Sequence, residues 1–258
     1  MTLANLFSLR RGVGRYFVGP VFVAITVLAF FLTAVSPAQA QSEEGEFTED
    51  FRLRDCRFRS EGSNPYFILR PGYRLILEGE EDGVKEKLII TVLDRIKNIS
   101  VPGYGIVRTR VVEEQHFADG KRVELSMNYF AICDKTNDVY YFGEDTDIFH
   151  PDGTVTHDGS WIAGKNGATP GIIMPGTFLL GARYFQEQAP GVAMDRAEHV
   201  EMGLTVDTKA GTFQDCVFIV ETTPLEPGAT SEKIYCPGIG LVSDAPVQLI
   251  KIERRRVD

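Results

Sequence analysis

Residues 73–93, YRLILEGEEDGVKEKLIITVL, decide the fold class. Tyr73, Leu75 and Leu77 alternate with Arg74, Ile76 and Glu78, the period-two signature of a half-buried strand. Glu80-Glu81-Asp82-Gly83 reads as a hairpin turn, and Lys87–Leu93 as a core strand.

The same grammar continues on both sides. Upstream, Asn64-Pro65-Tyr66-Phe67 and Pro71-Gly72 punctuate the start of the domain. Downstream, Ile106–Phe117 is a long β-rich run, and Asp119-Gly120 favours the positive φ of a tight turn. In the next strand Val123, Leu125, Met127, Tyr129 and Ala131 alternate with Glu124, Ser126 and Asn128. A turn at Lys135-Thr136-Asn137-Asp138 leads into Val139-Tyr140-Tyr141-Phe142. From Gly159 to Gly181 the chain is glycine-rich, which predicts a long ordered loop with one short strand at Ile172-Ile173-Met174. Ala182–Gln188 reads as a strand closed by Pro190-Gly191, whereas Val192–Met202 fits a short helix or a strand equally well. Cys216–Thr222, Glu232–Cys236 and Val247–Arg254 are the last clear strands. The pattern predicts an all-β, antiparallel open barrel or half-barrel of about 10–12 strands with little helix, because so wide a sheet curls.

The first forty residues read as a cleaved secretory signal peptide. Arg10, Arg11 and Arg15 precede an apolar run from Val21 to Val35, and Ala38-Gln39-Ala40 is a small-x-small cleavage site. The apolar run is about fifteen residues, short of the ~20 that span hydrocarbon, so no stable membrane anchor is expected after cleavage. The organisation read from the chain is a signal over 1–40, an acidic flexible lead-in over 41–62, and one β domain over 63–256, placed in the periplasm or secreted. Three of the 27 basic residues and none of the 36 acidic ones fall in the signal, leaving 24 against 36, a net charge of −12. Such a surface argues against nucleic-acid partners. Arg254-Arg255-Arg256 at the C-terminus reads as a solvated tail.

All four cysteines follow the signal, and an even number in an oxidising compartment suggests two disulfides. The turn sequence Pro224-Leu225-Glu226-Pro227-Gly228 puts Cys216 and Cys236 on neighbouring strands, which pairs them and, by elimination, Cys56 with Cys133. On the chain-entropy model these loops contribute roughly 3 and 4.5 kcal/mol. Four free thiols are the alternative; a zinc site lacks the usual close cysteine spacing.

Several segments resemble a widespread group of exported bacterial β proteins sometimes labelled TapB-like. They are Asn64–Phe67 with Pro71-Gly72, Tyr141-Phe142-Gly143-Glu144-Asp145, Gly159-Ser160-Trp161, Pro170-Gly171-Ile172-Ile173-Met174-Pro175, Ala210-Gly211-Thr212-Phe213, and Tyr235-Cys236-Pro237-Gly238-Ile239-Gly240-Leu241-Val242. The resemblance implies an antiparallel open barrel akin to periplasmic lipoprotein carriers, and it supplies no catalytic residues.

The residues themselves offer little catalytic machinery. Gly-x-Ser-x-Gly, His-Glu-x-x-His and a phosphate-cradling glycine loop are all missing. One turn gathers Glu144, Asp145, Asp147, His150, Asp152, His157 and Asp158. If Pro151-Asp152-Gly153 closes a hairpin, Asp147 and His157 face each other, and with His150 they form a candidate divalent-metal set for metal-assisted hydrolysis. A second acidic group, Glu187, Asp195, Glu198 and Glu201, lies beside His199 as a candidate general acid–base pair. Binding is the stronger reading: a concave, apolar sheet face with aromatic residues at its interior or rim. Trp161, Tyr184 and Tyr141 are the candidate ligand contacts, with Trp161 as a lid or anchor. The expected function is an exported β domain that binds or escorts a lipophilic or small amphiphilic envelope ligand. The alternatives are the metal hydrolase and a structural or adhesive protein that docks an envelope partner through the 159–181 loop.

Overall fold

The computed structural model describes residues 46–254. The expected signal peptide, the first part of the lead-in and Arg255-Arg256 of the C-terminal run lie outside the described residues.

The strands are Phe58–Arg59 (β1), Gly62–Ser63 (β2), Ile68–Leu69 (β3), Tyr73–Glu81 (β4), Val84–Val101 (β5), Gly105–Ala118 (β6), Lys121–Cys133 (β7), Val139–Phe149 (β8) and Val155–Thr156 (β9). They continue with Trp161–Ile162 (β10), Thr169–Met174 (β11), Arg183–Phe185 (β12), Glu187–Gln188 (β13), Arg196–Thr208 (β14), Gly211–Thr222 (β15), Thr230–Cys236 (β16), Gly240–Asp244 (β17) and Val247–Arg254 (β18). Among the described residues there is one 3-10 turn, Leu53–Asp55, and no α-helix. No helix there is long and apolar enough to cross a membrane.

The strands other than the β2–β3 ribbon form one 16-stranded antiparallel sheet. Its order runs β12-β14-β15-β16-β17-β18-β4-β5-β6-β7-β8-β11-β13, with β1, β9 and β10 attached off this path. The two ends of that order, β12 and β13, are separated along the chain by a single residue, Gln186. One segment therefore pairs with β14 through Arg183–Phe185 and with β11 through Glu187-Gln188. The sheet curls until its edges meet the same stretch of chain, and no closed barrel forms among the described residues. Gly171 makes this approach feasible. A Cβ there would collide with the Phe185 carbonyl oxygen and the Gln186 backbone.

Local chemistry explains the long central strands. At the β4–β5 turn Asp82 and Gly83 both take positive φ (51° and 84°), and at the β6–β7 turn Asp119 and Gly120 do the same (48° and 76°). That geometry matches the right-handed twist of the flanking strands. The Val192–Met202 stretch resolves as strand from Arg196 onward. It pairs with β15 along its length, and that ladder outweighs any local helical preference. Two further differences arise from pairing. Ala182–Gln188 is split at Gln186, and Gly240–Asp244 is a strand inserted between β16 and β18.

The lead-in is seated from residue 46 onward rather than free. Phe51, Leu53, Cys56 and Phe58 pack against the sheet. The Phe58 ring meets Tyr104, Tyr140 and Phe142 edge-on at 5.3, 5.1 and 5.1 Å. The Tyr140 hydroxyl donates to the Phe51 carbonyl at 2.9 Å. Both expected disulfides are present, Cys56–Cys133 and Cys216–Cys236. The first ties this segment to β7; the second links adjacent strands β15 and β16. Such bonds are compatible with an extracytoplasmic protein.

Candidate functional site

The concave side of the sheet holds a cavity of about 340 Å³, walled by β4–β8 on one side and β15–β18 on the other. Its volume falls in the range of small-molecule sites. Because side chains alternate along a strand, each strand contributes every second residue. The inward rows are Glu86, Leu88, Ile90 and Val92 on β5, then Val112, Glu114 and His116 on β6, then Glu124, Ser126, Asn128 and Phe130 on β7. The expected apolar interior is therefore only half apolar. On β7 the polar set faces in, with Ser126 and Asn128 buried, while Leu125 and Met127 on the other face are half-buried.

Strand register brings the polar groups together. Glu114 lies directly across from Ser126, His116 across from Glu124, and Asn128 across from Glu144. Glu144 in turn faces Trp161 of β10. From the opposite wall come Glu221, Lys233 and Asp244, and from the junction of the sheet edges Glu187 and Asp195. Eight carboxylates thus line the cavity, with Lys233 and His116 as the basic side chains beside them.

These charges are not evenly partnered. Lys233 Nζ is 2.7 Å from Glu221 Oε2 and 3.9 Å from Asp244 Oδ2. Burial opposes the lysine's charge, but these two carboxylates overcome it and hold its pKa well above the usual value. His116 Nε2 is 2.8 Å from Glu86 Oε2. The Tyr141 hydroxyl donates toward Asn128 Oδ1 and Glu144 Oε2, at 2.5 and 2.9 Å. The backbone N–H of Asp195 donates to Glu187 Oε1 at 2.7 Å. Desolvation dominates the titration of the others. It pushes Glu114 up to about 7, with Lys233 as a partial offset. Glu124 rises to about 7 by desolvation and then by the charge of Glu114. Desolvation carries Glu144 to about 8, against the Tyr141 hydrogen bond and with help from Glu124 and Glu114. Asp195 rises to about 6, and Glu187 goes well above the ordinary carboxylate range by desolvation and the charge of Asp195.

On β5 and β10, Glu86 Oε1 and Trp161 Nε1 are buried without a hydrogen-bond partner. The Glu86 side chain is 2% exposed and Trp161 6%. An aromatic run borders the carboxylates. Trp161 meets Tyr141 edge-on at 5.2 Å, Tyr141 lies 4.8 Å from Phe130, and Phe130 is 5.1 Å from Phe67.

Of the candidate ligand contacts, Trp161 and Tyr141 share this cavity. Trp161 is a buried strand residue rather than a loop lid. Tyr184 lies elsewhere. Its hydroxyl donates to His199 Nε2 at 2.9 Å, and the imidazole stacks on Phe178 at 3.8 Å with Nδ1 donating to the Leu179 carbonyl. Burial pulls the His199 pKa down to about 4, so the ring is neutral and structural. Within the second acidic group, Glu187 and Asp195 meet in the cavity, whereas Glu198 pairs with Arg183 at 2.9 Å and Glu201 is exposed.

The hairpin at Pro151-Asp152-Gly153 forms, and Asp147 Oδ1 lies 2.9 Å from His157 Nδ1. His150 instead contacts Thr156 Oγ1 at 3.0 Å. Among the described residues no group of three or more His, Cys, Asp or Glu side chains could hold a metal ion.

The residues that sequence reasoning missed are Glu86, Glu114, Glu124, Glu221, Lys233 and Asp244. Their one signal is their alternate position along the strands, which does not say which face is inside. No protein-family model, curated protein or solved structure matches this chain.

Proposed function

We propose that this chain is an exported open-barrel β domain that binds a small amphiphilic ligand inside its curled sheet and escorts it outside the cytoplasm. The cavity of about 340 Å³, apolar along Leu75, Leu88, Ile90 and Val92 and polar along β6–β8, is the observation that carries this reading. A purely lipophilic guest fits the wall poorly, because it would strip water from carboxylates without replacing it. An amphiphile satisfies both halves. The resemblance to exported β proteins akin to lipoprotein carriers points the same way, as do the two disulfides.

Native mass spectrometry of the mature protein, purified from a host that exports it, tests the proposal. A co-purifying small molecule is expected on the native chain and depleted on Ser126→Phe, whose ring intrudes on the polar part of the cavity. A native chain that is empty and also takes up no added amphiphile would contradict it.

A further inference from the structure

The cavity wall carries eight carboxyl groups beside two basic side chains, Lys233 and His116, and the placement of those carboxyls identifies the complementary guest. Glu114, Glu124 and Glu144 surround Ser126: one directly across on β6, one two positions along β7, and one beside it on β8 opposite Asn128. Diagonal neighbours in such a sheet stand roughly 7–8 Å apart. Lys233, the lysine lining the cavity, is engaged by Glu221 and Asp244 on the far wall. Glu86 Oε1 adds a buried acceptor with no donor.

A bare metal ion does not suit this arrangement, since no three candidate ligands converge among the described residues. A larger cation with several N–H donors, or a diffuse alkylated one, does. It would also meet the aromatic rings of Trp161 and Tyr141, and aromatic rings beside carboxylates are the surroundings in which organic ammonium groups are held. Leu75, Leu88, Ile90 and Val92 continue from the charged arc as an apolar lane.

We infer that the ligand's polar head is an organic ammonium, seated among Glu114, Glu124 and Glu144 against Trp161 and Tyr141, with its hydrocarbon part along β4–β5. This rests on the reading of the cavity as an amphiphile site. The net charge of −12 after the signal favours approach of a cation over an anion.

A matched series separates the two ideas. Octylammonium, octyl glucoside and octyl sulfate share one tail, and each is titrated below its micellar concentration into the mature protein by calorimetry at pH 7.5. The inference predicts octylammonium at least about tenfold tighter than the glucoside, equivalent to ~1.4 kcal/mol, and the sulfate weakest. Equal affinities, or a preference for the sulfate, would overturn the ammonium head and leave the amphiphile site standing. Binding of none of the three would overturn both. The Glu114→Gln/Glu144→Gln variant should lose at least about fivefold more affinity for octylammonium than for octyl glucoside. An unchanged ammonium affinity in that variant would place the head elsewhere. The rank order on the native chain does not depend on the variant's folding.

Discussion

Glu144 condenses the behaviour of the cavity into one side chain. In the unfolded chain its pKa is near 4.5; desolvation in the folded state moves it to about 8. Between those values the folded protein holds a proton that the unfolded chain releases. The stabilisation is therefore complete below about 4.5 and is lost as pH rises toward 8. Glu114 and Glu124, each raised to about 7, act in the same direction. His199 acts oppositely: its pKa of about 4 removes stability as pH falls from 6.5. The interval from pH 6.5 to 8 thus isolates the carboxylates. Glu144→Gln should raise both stability (by on the order of 2 kcal/mol) and Tm at pH 8, and flatten the decline in Tm across that interval. A thermal-unfolding series showing a native Tm that stays level from pH 6.5 to 8 would refute this. Trp161 stood out in the sequence because a large aromatic in a glycine-rich segment invites a pocket, and it lines the cavity with Tyr141, whereas Tyr184 does not. Glu114 and Glu124 were not, because period two separates the faces of a strand without saying which is inside.

At the scale of elements, the hairpins β4–β5, β6–β7 and β7–β8 were readable from turn chemistry. Asp-Gly pairs at 82–83 and 119–120 and the polar turn at 135–138 are local signals. β17 and the break at Gln186 were not, and β14 was readable only as one of two equal alternatives, since all three exist through partners distant in the chain. The cysteine pairing was readable because its turn is local. Replacing Cys216 and Cys236 together by serine should cost roughly 3 kcal/mol, and replacing Cys56 and Cys133 roughly 4.5, measured as shifts in denaturant midpoint. A smaller loss for the longer loop would contradict the chain-entropy account. Gly171 is the element-scale hinge of the curl. Gly171→Ala forces β11 away from the 185–186 backbone, with an expected loss of about 2–4 kcal/mol in chemical denaturation. A neutral result would mean that the edges need not approach so closely.

For the whole molecule, the decisive property is that both ends of one curled sheet meet the same stretch of chain and leave room inside. Curvature was expected from strand number, but the chemistry of the enclosed space was not. That chemistry depends on how two walls oppose each other, Glu114 and Glu144 on one and Lys233 with Glu221 on the other. Trp161, the chain's single tryptophan, lies at this wall and reports on it. The most direct measurement is its emission during titration of the mature protein with octylammonium, alongside the Ser126→Phe variant. A saturable, one-to-one change in the native protein that weakens in the folded variant is the predicted result. Emission that stays constant to saturating amphiphile, or changes equally in both proteins, would contradict an internal ligand site.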